Sequence, residues 1–443
     1  MGFELPAGYE VSPQNQGDED SDSDVNPMTQ KAVATTLSSG ESDTHWYLGI
    51  YQPATIGNVV WDDKNANGLQ DNNEIGVSDV NVTLYNGDCT TRAMNRDGTI
   101  LPNVTTDANG VYTFTNLMPN DYCVGFTIPT GYVVSPQNSG DDNKDSDVNP
   151  ATNRAGRTTL SSNETDSSWD MGIYQPATLG DKVWLDTNRD GIQDANESGV
   201  KEVKVTLYAA DCTTALKSLK TDVKGNYLFT NLVPNTYCVG FSEIPEGYVL
   251  TAQDIKNDTT DSDAKRATGK TIVTTLESGE HDMTWDAGLY ELSSIGDYVW
   301  YDENKDGLQN TEETPVADVK VTLYESDCET AIKETRSDST GHYLFDNLEP
   351  NEYCVGFDEL PTGYQFTPNF EEGEDRTLDC SVDPGTGKTP IINLPGAYGD
   401  MTWDMGIIPK CKDEEGRVLK AVSYTHLRAH ETVLDLVCRL LLE

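Results

Sequence analysis

Three stretches of this 443-residue sequence set oxygen-bearing side chains at a spacing suited to a hard cation. The clearest runs Asp186-Thr187-Asn188-Arg189-Asp190-Gly191-Ile192-Gln193-Asp194-Ala195-Asn196-Glu197 and fits the pattern D-x-[DN]-x-[DN]-G-x5-E. Calcium takes about six to eight oxygens. The pattern offers the side chains of Asp186, Asn188 and Asp190, the carbonyl of Ile192, Asp194 directly or through water, and both oxygens of Glu197. The same positions recur as Asp63, Asn65, Asn67, Leu69, Asp71 and Glu74, and as Asp302, Asn304, Asp306, Leu308, Asn310 and Glu313. Glycine at the sixth position (Gly68, Gly191, Gly307) permits a sharp turn. Magnesium fits poorly, because it demands a tighter octahedron and keeps its waters. One such stretch would be an acidic surface turn as readily as a site. Three that keep ligand chemistry at every required position point to Ca2+, and strand-like flanks point to a stiffening ion rather than a helix-loop-helix sensor.

A second acidic cluster recurs as Asp18, Asp20, Asp22 and Asp24, as Asp141, Asp142, Asp145 and Asp147, and as Asp258, Asp261 and Asp263, decaying to Asp375 and Asp379. It reads equally as a solvated loop and as another calcium site, which Asp170, Asp286 or Asp404 would complete. The cysteines fall in pairs, Cys89 with Cys123, Cys212 with Cys238 and Cys328 with Cys354. Disulfides formed in an oxidising compartment are the expectation, with free buried thiols as the alternative, and Cys380 with Cys411 as a fourth pair. Strand alternation turns Cys238 away from Tyr237, Val239 and Phe241, onto an outer face beside the loop of Cys212. Catalysis has little to stand on: the five histidines hold no common position and no nucleophile motif is present, so no enzyme is expected.

These residues must be positioned by repeated elements. Ile56-Gly57-Asn58-Val59-Val60-Trp61 returns at Leu179–Trp184 and Ile295–Trp300, and Trp169-Asp170-Met171-Gly172-Ile173-Tyr174 returns at Trp285 and Trp403, more loosely at Trp46. Units of this length close a core alone, unlike solenoid repeats. Within each unit the apolar period is two, as in Val203, Val205 and Leu207 or Val319, Val321 and Leu323, and turn residues separate the runs. The expected fold is therefore all-β: tandem antiparallel β-sandwiches over residues 53–175, 176–291 and 292–408, preceded by the second half of a domain in 1–52 and followed by a non-domain tail in 409–443. Short joints containing Pro53 and Pro176 suggest a semi-rigid rod.

The charge adds an exclusion. With 30 Lys+Arg against 75 Asp+Glu the net charge is −45, which repels nucleic acid and anionic membrane surfaces. No run approaches the roughly 20 apolar residues of a membrane span. No signal peptide is visible in Met1–Tyr9, which aligns instead with Val355–Tyr364, so the chain is expected to begin inside a strand. From about Ala421 the composition changes, and the tail looks like translated sequencing-adapter read-through rather than native chain.

The ordered series I-G-D-x-V-W, D-x-N-x-D-G, V-x-V-T-L-Y, D-x-x-G-x-Y-x-F-x-N-L, P-x-G-Y, D-S-D and T-W-D-x-G-x-Y resembles the B-type repeats of the serine-aspartate repeat surface proteins, a branch of the collagen-adhesin B-type domains. The resemblance covers residues 1 to 408. It implies a transthyretin-like, reverse immunoglobulin-like sandwich in a bacterial cell-surface stalk, with calcium in each domain. Some collagen-adhesin relatives carry a Lys-Asn crosslink from the first strand; only Lys182 stands there, so none is expected. The function expected is a calcium-stabilised spacer of a secreted or surface protein, any host or matrix ligand being bound elsewhere in the protein. The alternatives are repeats that themselves bind a host protein or glycan, and a spacer within a secreted enzyme.

Overall fold

The structure is a computed structural model that describes residues 2–255, 259–367 and 378–410. The tail beyond Lys410, Cys411 included, lies outside the described residues. These residues gather into two compact units. One holds the chain up to Lys182 with Lys204–Ser242 and Thr268–Asp286; the other holds Val183–Val203, Glu243–Ala267 and the chain from Ala287.

The first unit contains a complete repeat of nine strands: β1 (Ala54–Asp62), β2 (Asn81–Asn86), β3 (Val104–Thr105), β4 (Val111–Leu117), β5 (Asn120–Thr127), β6 (Val133–Val134), β7 (Arg154–Leu160), β8 (Thr165–Asp166) and β9 (Met171–Tyr174). One sheet runs β6-β9-β1-β8, with β4 on β1; the other runs β7-β5-β2-β3. Their inner faces close a core of Ile56, Val60, Val82, Leu84, Phe114, Tyr122, Val124, Leu160, Met171 and Ile173. The period-two reading explains this directly, since β4 alternates exposed and buried residues from Val111 to Phe114. Tyr112 packs edge-on against Phe126, with ring centroids 5.5 Å apart, and its hydroxyl donates to the Trp169 carbonyl at 2.6 Å. The second unit holds a repeat of the same plan from Ser293 to Pro409, where Tyr343 meets Phe357 at 5.4 Å and donates to the Trp403 carbonyl at 2.6 Å.

Not every pairing is antiparallel. The final strand β9 lies parallel to β1, with Met171 opposite Val60 and Gly172 opposite Trp61, and β8 is parallel to β1 as well. Ala287–Glu291 and Met405–Pro409 pair in the same way with Val183–Leu185 and Val299–Tyr301. This explains the glycine of the second signature: a Cβ on Gly172 would stand 2.8 Å from the Trp61 indole, and Gly288 and Gly406 face Trp184 and Trp300 as closely. The three first-strand tryptophans are fully buried by this arrangement.

Disulfides join Cys89 to Cys123, Cys212 to Cys238 and Cys328 to Cys354, with Cα atoms 5.2, 5.4 and 5.3 Å apart. The alternation holds at these bridges: Tyr353, Val355 and Phe357 belong to the core cluster and Cys354 between them does not, although Cys354 and Cys238 have no exposed surface. Cys380 is buried and has no cysteine partner among the described residues.

Candidate metal centre

Each acidic loop leaves the end of a first strand, so its first aspartate is fixed by the sheet. Asp63, Asp186 and Asp302 are buried, and their backbone N–H groups donate to the carbonyls of Ile173, Leu289 and Ile407 in the closing strand. The loop then turns through left-handed backbone at position 4 (Ala66, Arg189, Lys305) and again at the position-6 glycine. Gly68 is held to glycine twice over: its φ is +79°, and a Cβ would stand 2.3 Å from the Pro136 carbonyl.

The carboxylate at position 1 receives the glycine amide in each loop, Gly68 N–H to Asp63 at 2.8 Å, Gly191 N–H to Asp186 at 3.0 Å and Gly307 N–H to Asp302 at 3.1 Å. Position 3 accepts the amide of position 5, as Asn67 N–H to Asn65 at 3.0 Å, Asp190 N–H to Asn188 at 3.1 Å and Asp306 N–H to Asn304 at 2.9 Å. Positions 3, 5 and 9 converge: the Asn188 amide nitrogen lies 3.1 Å from both Asp190 and Asp194, Asn65 reaches Asp71 at 2.9 Å, and Asn304 reaches Asp306 at 2.8 Å. A half-turn of such an amide presents its oxygen in place of its nitrogen.

The glutamate at position 12 clamps the loop ends. Glu197 accepts Thr187 N–H at 2.7 Å and Asp194 N–H at 3.0 Å, Glu74 accepts the amides of Lys64 and Asp71 at 2.9 Å each, and Glu313 accepts those of Glu303 and Asn310 at 3.0 and 2.9 Å. Burial, with Asp63 adding repulsion, raises the Glu74 carboxyl above its usual range. The loops differ in one respect. Asp186 Oδ1 and Asp302 Oδ1 are buried and accept no hydrogen bond, whereas both oxygens of Asp63 are taken by backbone amides. A buried anionic oxygen without a donor is costly, so the residues fit a cation. When bound, calcium would be held by positions 1, 3, 5, 7, 9 and 12 and would supply the missing positive charge.

The second acidic segment lies against the first, a juxtaposition that the sequence signals only by both recurring in every repeat. Leu69 bridges Asp145, Ile192 bridges Asp261 and Leu308 bridges Asp379 across short antiparallel contacts. Carboxylate oxygens of Asp142, Asp145 and Asp147 lie within 4.8 Å of one another, with Asp145 and Asp147 buried. Asp145 Oδ1 has no hydrogen-bond partner. Burial first, then neighbouring carboxylates, pushes Asp147 up to about 7 and Asp170 up to about 8. Asp170 still accepts the Asn58 side-chain amide at 2.9 Å, and its N–H donates to Asp147 at 2.6 Å. Asp141 caps its own turn instead, taking the amides of Lys144 and Asp145 on its carbonyl. In the partial domain Asp22 and Asp24 accept the amides of Gly17 and Tyr47, and Asp20 pairs with His45 at 3.0 Å. Asp258 and Asp375 lie outside the described residues.

Two-sheet domains following one another along the chain, each tied by a disulfide and each opening on an acidic loop, define a chain of structural repeats. The chain belongs to the family described as SdrD B-like domain, which matches residues 54–173, 177–289 and 293–407. It is 37% identical over 390 residues to serine-aspartate repeat-containing protein F of Staphylococcus epidermidis, a match covering 85% of this chain and 22% of that protein. It is also 37% identical over 385 residues to serine-aspartate repeat-containing protein D of Staphylococcus aureus (strain MW2), covering 85% and 26%. The chain thus spans about a quarter of the length of these curated relatives. Among solved structures it is similar to the Bacillus anthracis TIE protein, with 13% identity and a TM-score of 0.31 over 82% of this chain and 54% of that one. BcpA, the major pilin subunit of Bacillus cereus, gives 9% identity and a TM-score of 0.31 over 80% and 99%.

Proposed function

We propose that this chain is a calcium-stabilised structural spacer of a bacterial cell-surface protein, its repeats forming a stalk that holds another region away from the cell. The family and the relatives' lengths support the spacer role: three whole domains account for only about a quarter of proteins of this kind. The observation that carries the calcium reading is the pair of buried, unpartnered oxygens on Asp186 and Asp302 at the first position of their loops. An ion there neutralises the clustered carboxylates and ties the end of the first strand to Glu197 or Glu313, which already fastens both ends of the loop. The test is calorimetric titration of the metal-free chain with calcium. Uptake at three or more sites supports the reading, and no uptake at millimolar calcium returns the loops to acidic turns.

A second reading, recognition of an anionic host molecule by the second repeat, draws on a concavity of about 520 Å³ lined by Arg189, Lys265, Arg266 and Tyr290. Cations gathered on a chain of −45 are unusual, and although Arg266 is already paired with Glu349, Arg189 and Lys265 remain; the equivalent positions in the first repeat are Ala66, Asn149 and Pro150. Binding of a uronate-bearing glycan that is lost in Arg189→Ala with Lys265→Ala would favour it over a pure spacer.

A further inference from the structure

We propose that the first repeat is keyed to the second, and the second to the third, by different matched side chains at the two joints, and that the first acidic loop is itself the socket for the following repeat. In the first compact unit, Ser278 stands in a turn of the second repeat and reaches back to the first. Its hydroxyl donates to Asp62 at 2.7 Å and its N–H donates to the Lys64 carbonyl at 2.9 Å. The same hydroxyl accepts the Gln175 N–H of the joint at 2.8 Å, and Gly279 N–H returns to the Gln175 carbonyl at 2.8 Å. Lys64 also pairs with Glu277 at 3.6 Å. Asp62 immediately precedes the first position of the loop, and Lys64 is its second position. The Lys64 peptide is gripped from both sides, its N–H by Glu74 at 2.9 Å and its carbonyl by Ser278. Closure of the loop and seating of the next repeat therefore act on one residue.

The joint inside the second unit uses different chemistry. Gly396 occupies the position of Ser278, and Leu185 that of Asp62, so hydroxyl and carboxylate are absent together. In their place Glu349 of the third repeat accepts from Arg266 and from the Tyr290 hydroxyl of the second, and Arg266 lies over the Tyr290 ring at 5.6 Å. The turn keeps the bond from Ala397 N–H to the Glu291 carbonyl, at 3.3 Å. Neither member of this second key is repeated: Arg266 is Pro150 and Pro384 in the other repeats, and Glu349 is Met118 and Val233. Paired gain and paired loss at facing positions are what order-specific docking requires, because a donor left without its acceptor at a joint costs more than it contributes.

The socket rests on the hydrogen bonds of Ser278, while its coupling to the ion rests on the calcium reading, and the test separates them. Amide hydrogen exchange of the full chain is followed by mass spectrometry, with and without calcium, for the wild type, Ser278→Ala, Asp62→Leu and Glu349→Val. Ser278→Ala and Asp62→Leu are expected to speed exchange at Gln175, Ser278 and Gly279 by about ten-fold and to leave Ala397 unchanged. Glu349→Val is expected to do the reverse. Wild-type rates at Gln175, Ser278 and Gly279 in both Ser278→Ala and Asp62→Leu, or equal acceleration at both joints in any variant, overturns the keyed joints. Acceleration confined to the correct joint but identical with and without calcium upholds the keys and removes only the coupling.

Discussion

The first and second acidic loops share a motif and a backbone path but not an electrostatic outcome. In the first, both oxygens of Asp63 have donors: Asn67 and Gly68 amides occupy them at 3.2 and 2.8 Å. In the second, Asp186 receives Gly191 N–H and the Thr251 hydroxyl on one oxygen, and the other is buried with nothing to accept from. The residue matching Thr251 in the first repeat is Ser135, whose buried hydroxyl finds no partner at all. The second loop also places Asp190 where the first has Asn67, adding a carboxylate. Identical spacing thus sets which atoms face the centre, while the neighbours of position 1 decide whether its carboxylate keeps an unpartnered oxygen.

The largest expected effect comes from removing the clamp of the more demanding loop. Glu197→Ala deletes the acceptor of two backbone amides and, with it, the proposed two-oxygen ligand. Titration calorimetry should show that site weakened by at least ten-fold, about 1.4 kcal/mol, while the other loops are unaltered. Equal uptake by variant and wild type would dismiss Asp186, Asn188, Asp190, Asp194 and Glu197 as a site. Next is calcium itself. At a hundred-fold excess over its dissociation constant an ion that binds only the folded state adds about 2.7 kcal/mol. Calorimetric unfolding should therefore move upward on adding calcium, further for the second repeat than for the first; the opposite order contradicts the comparison.

A pH effect follows from the second acidic segment. The folded values of Asp147, about 7, and Asp170, about 8, lie above those of unfolded aspartate. Protonated in both states below about pH 4, these groups then cost nothing; as pH rises towards 8 the folded form must deprotonate at a disadvantage, so stability falls. In chelator the unfolding temperature of the first repeat should drop by several degrees between pH 5 and pH 8.5, and calcium should reduce the drop. A flat profile in chelator would mean that the carboxylates are relieved by another route.

Much of this was legible in the residues. Alternation at Val203, Val205 and Leu207 correctly gave a buried face, and the paired cysteines gave the bridges, because both signals are local or repeated in register. The parallel seating of β9 on β1 was not legible: nothing in Trp169-Asp170-Met171-Gly172 states which strand it will meet, although its glycine becomes intelligible once the Trp61 indole lies over it. The contact of Leu69 with Asp145 is likewise hidden, since it joins segments far apart in the chain. Thr206 reads as the polar side of its strand yet is buried, its hydroxyl 3.0 Å from that of Ser218, because the flanking strand covers that side too. The motif marks position 1 of the loops as a candidate ligand, but whether it keeps an unpartnered oxygen depends on Ser135 and Thr251, which no motif includes.

The smallest expected effects bear on those two hydroxyls and separate donor chemistry from shape. Thr251→Val keeps the branched side chain and removes the donor to Asp186. In chelator it should lower the stability of the second repeat by about 1 to 2 kcal/mol, because a second carboxylate oxygen then loses a partner in a buried setting. The reciprocal change, Ser135→Thr, adds a methyl group beside Gly172 and restricts the hydroxyl to the rotamers that serve Asp186 in the second repeat. A gain of under about 1 kcal/mol is expected in chelator if the threonine turns its hydroxyl to Asp63, since the serine hydroxyl begins without a partner. Calcium should shrink the loss in Thr251→Val, because the ion then compensates Asp186 directly. If Thr251→Val is neutral with and without calcium, the hydroxyl contributes nothing to the carboxylate, and the contrast between the two loops must come from Asp190 against Asn67 alone.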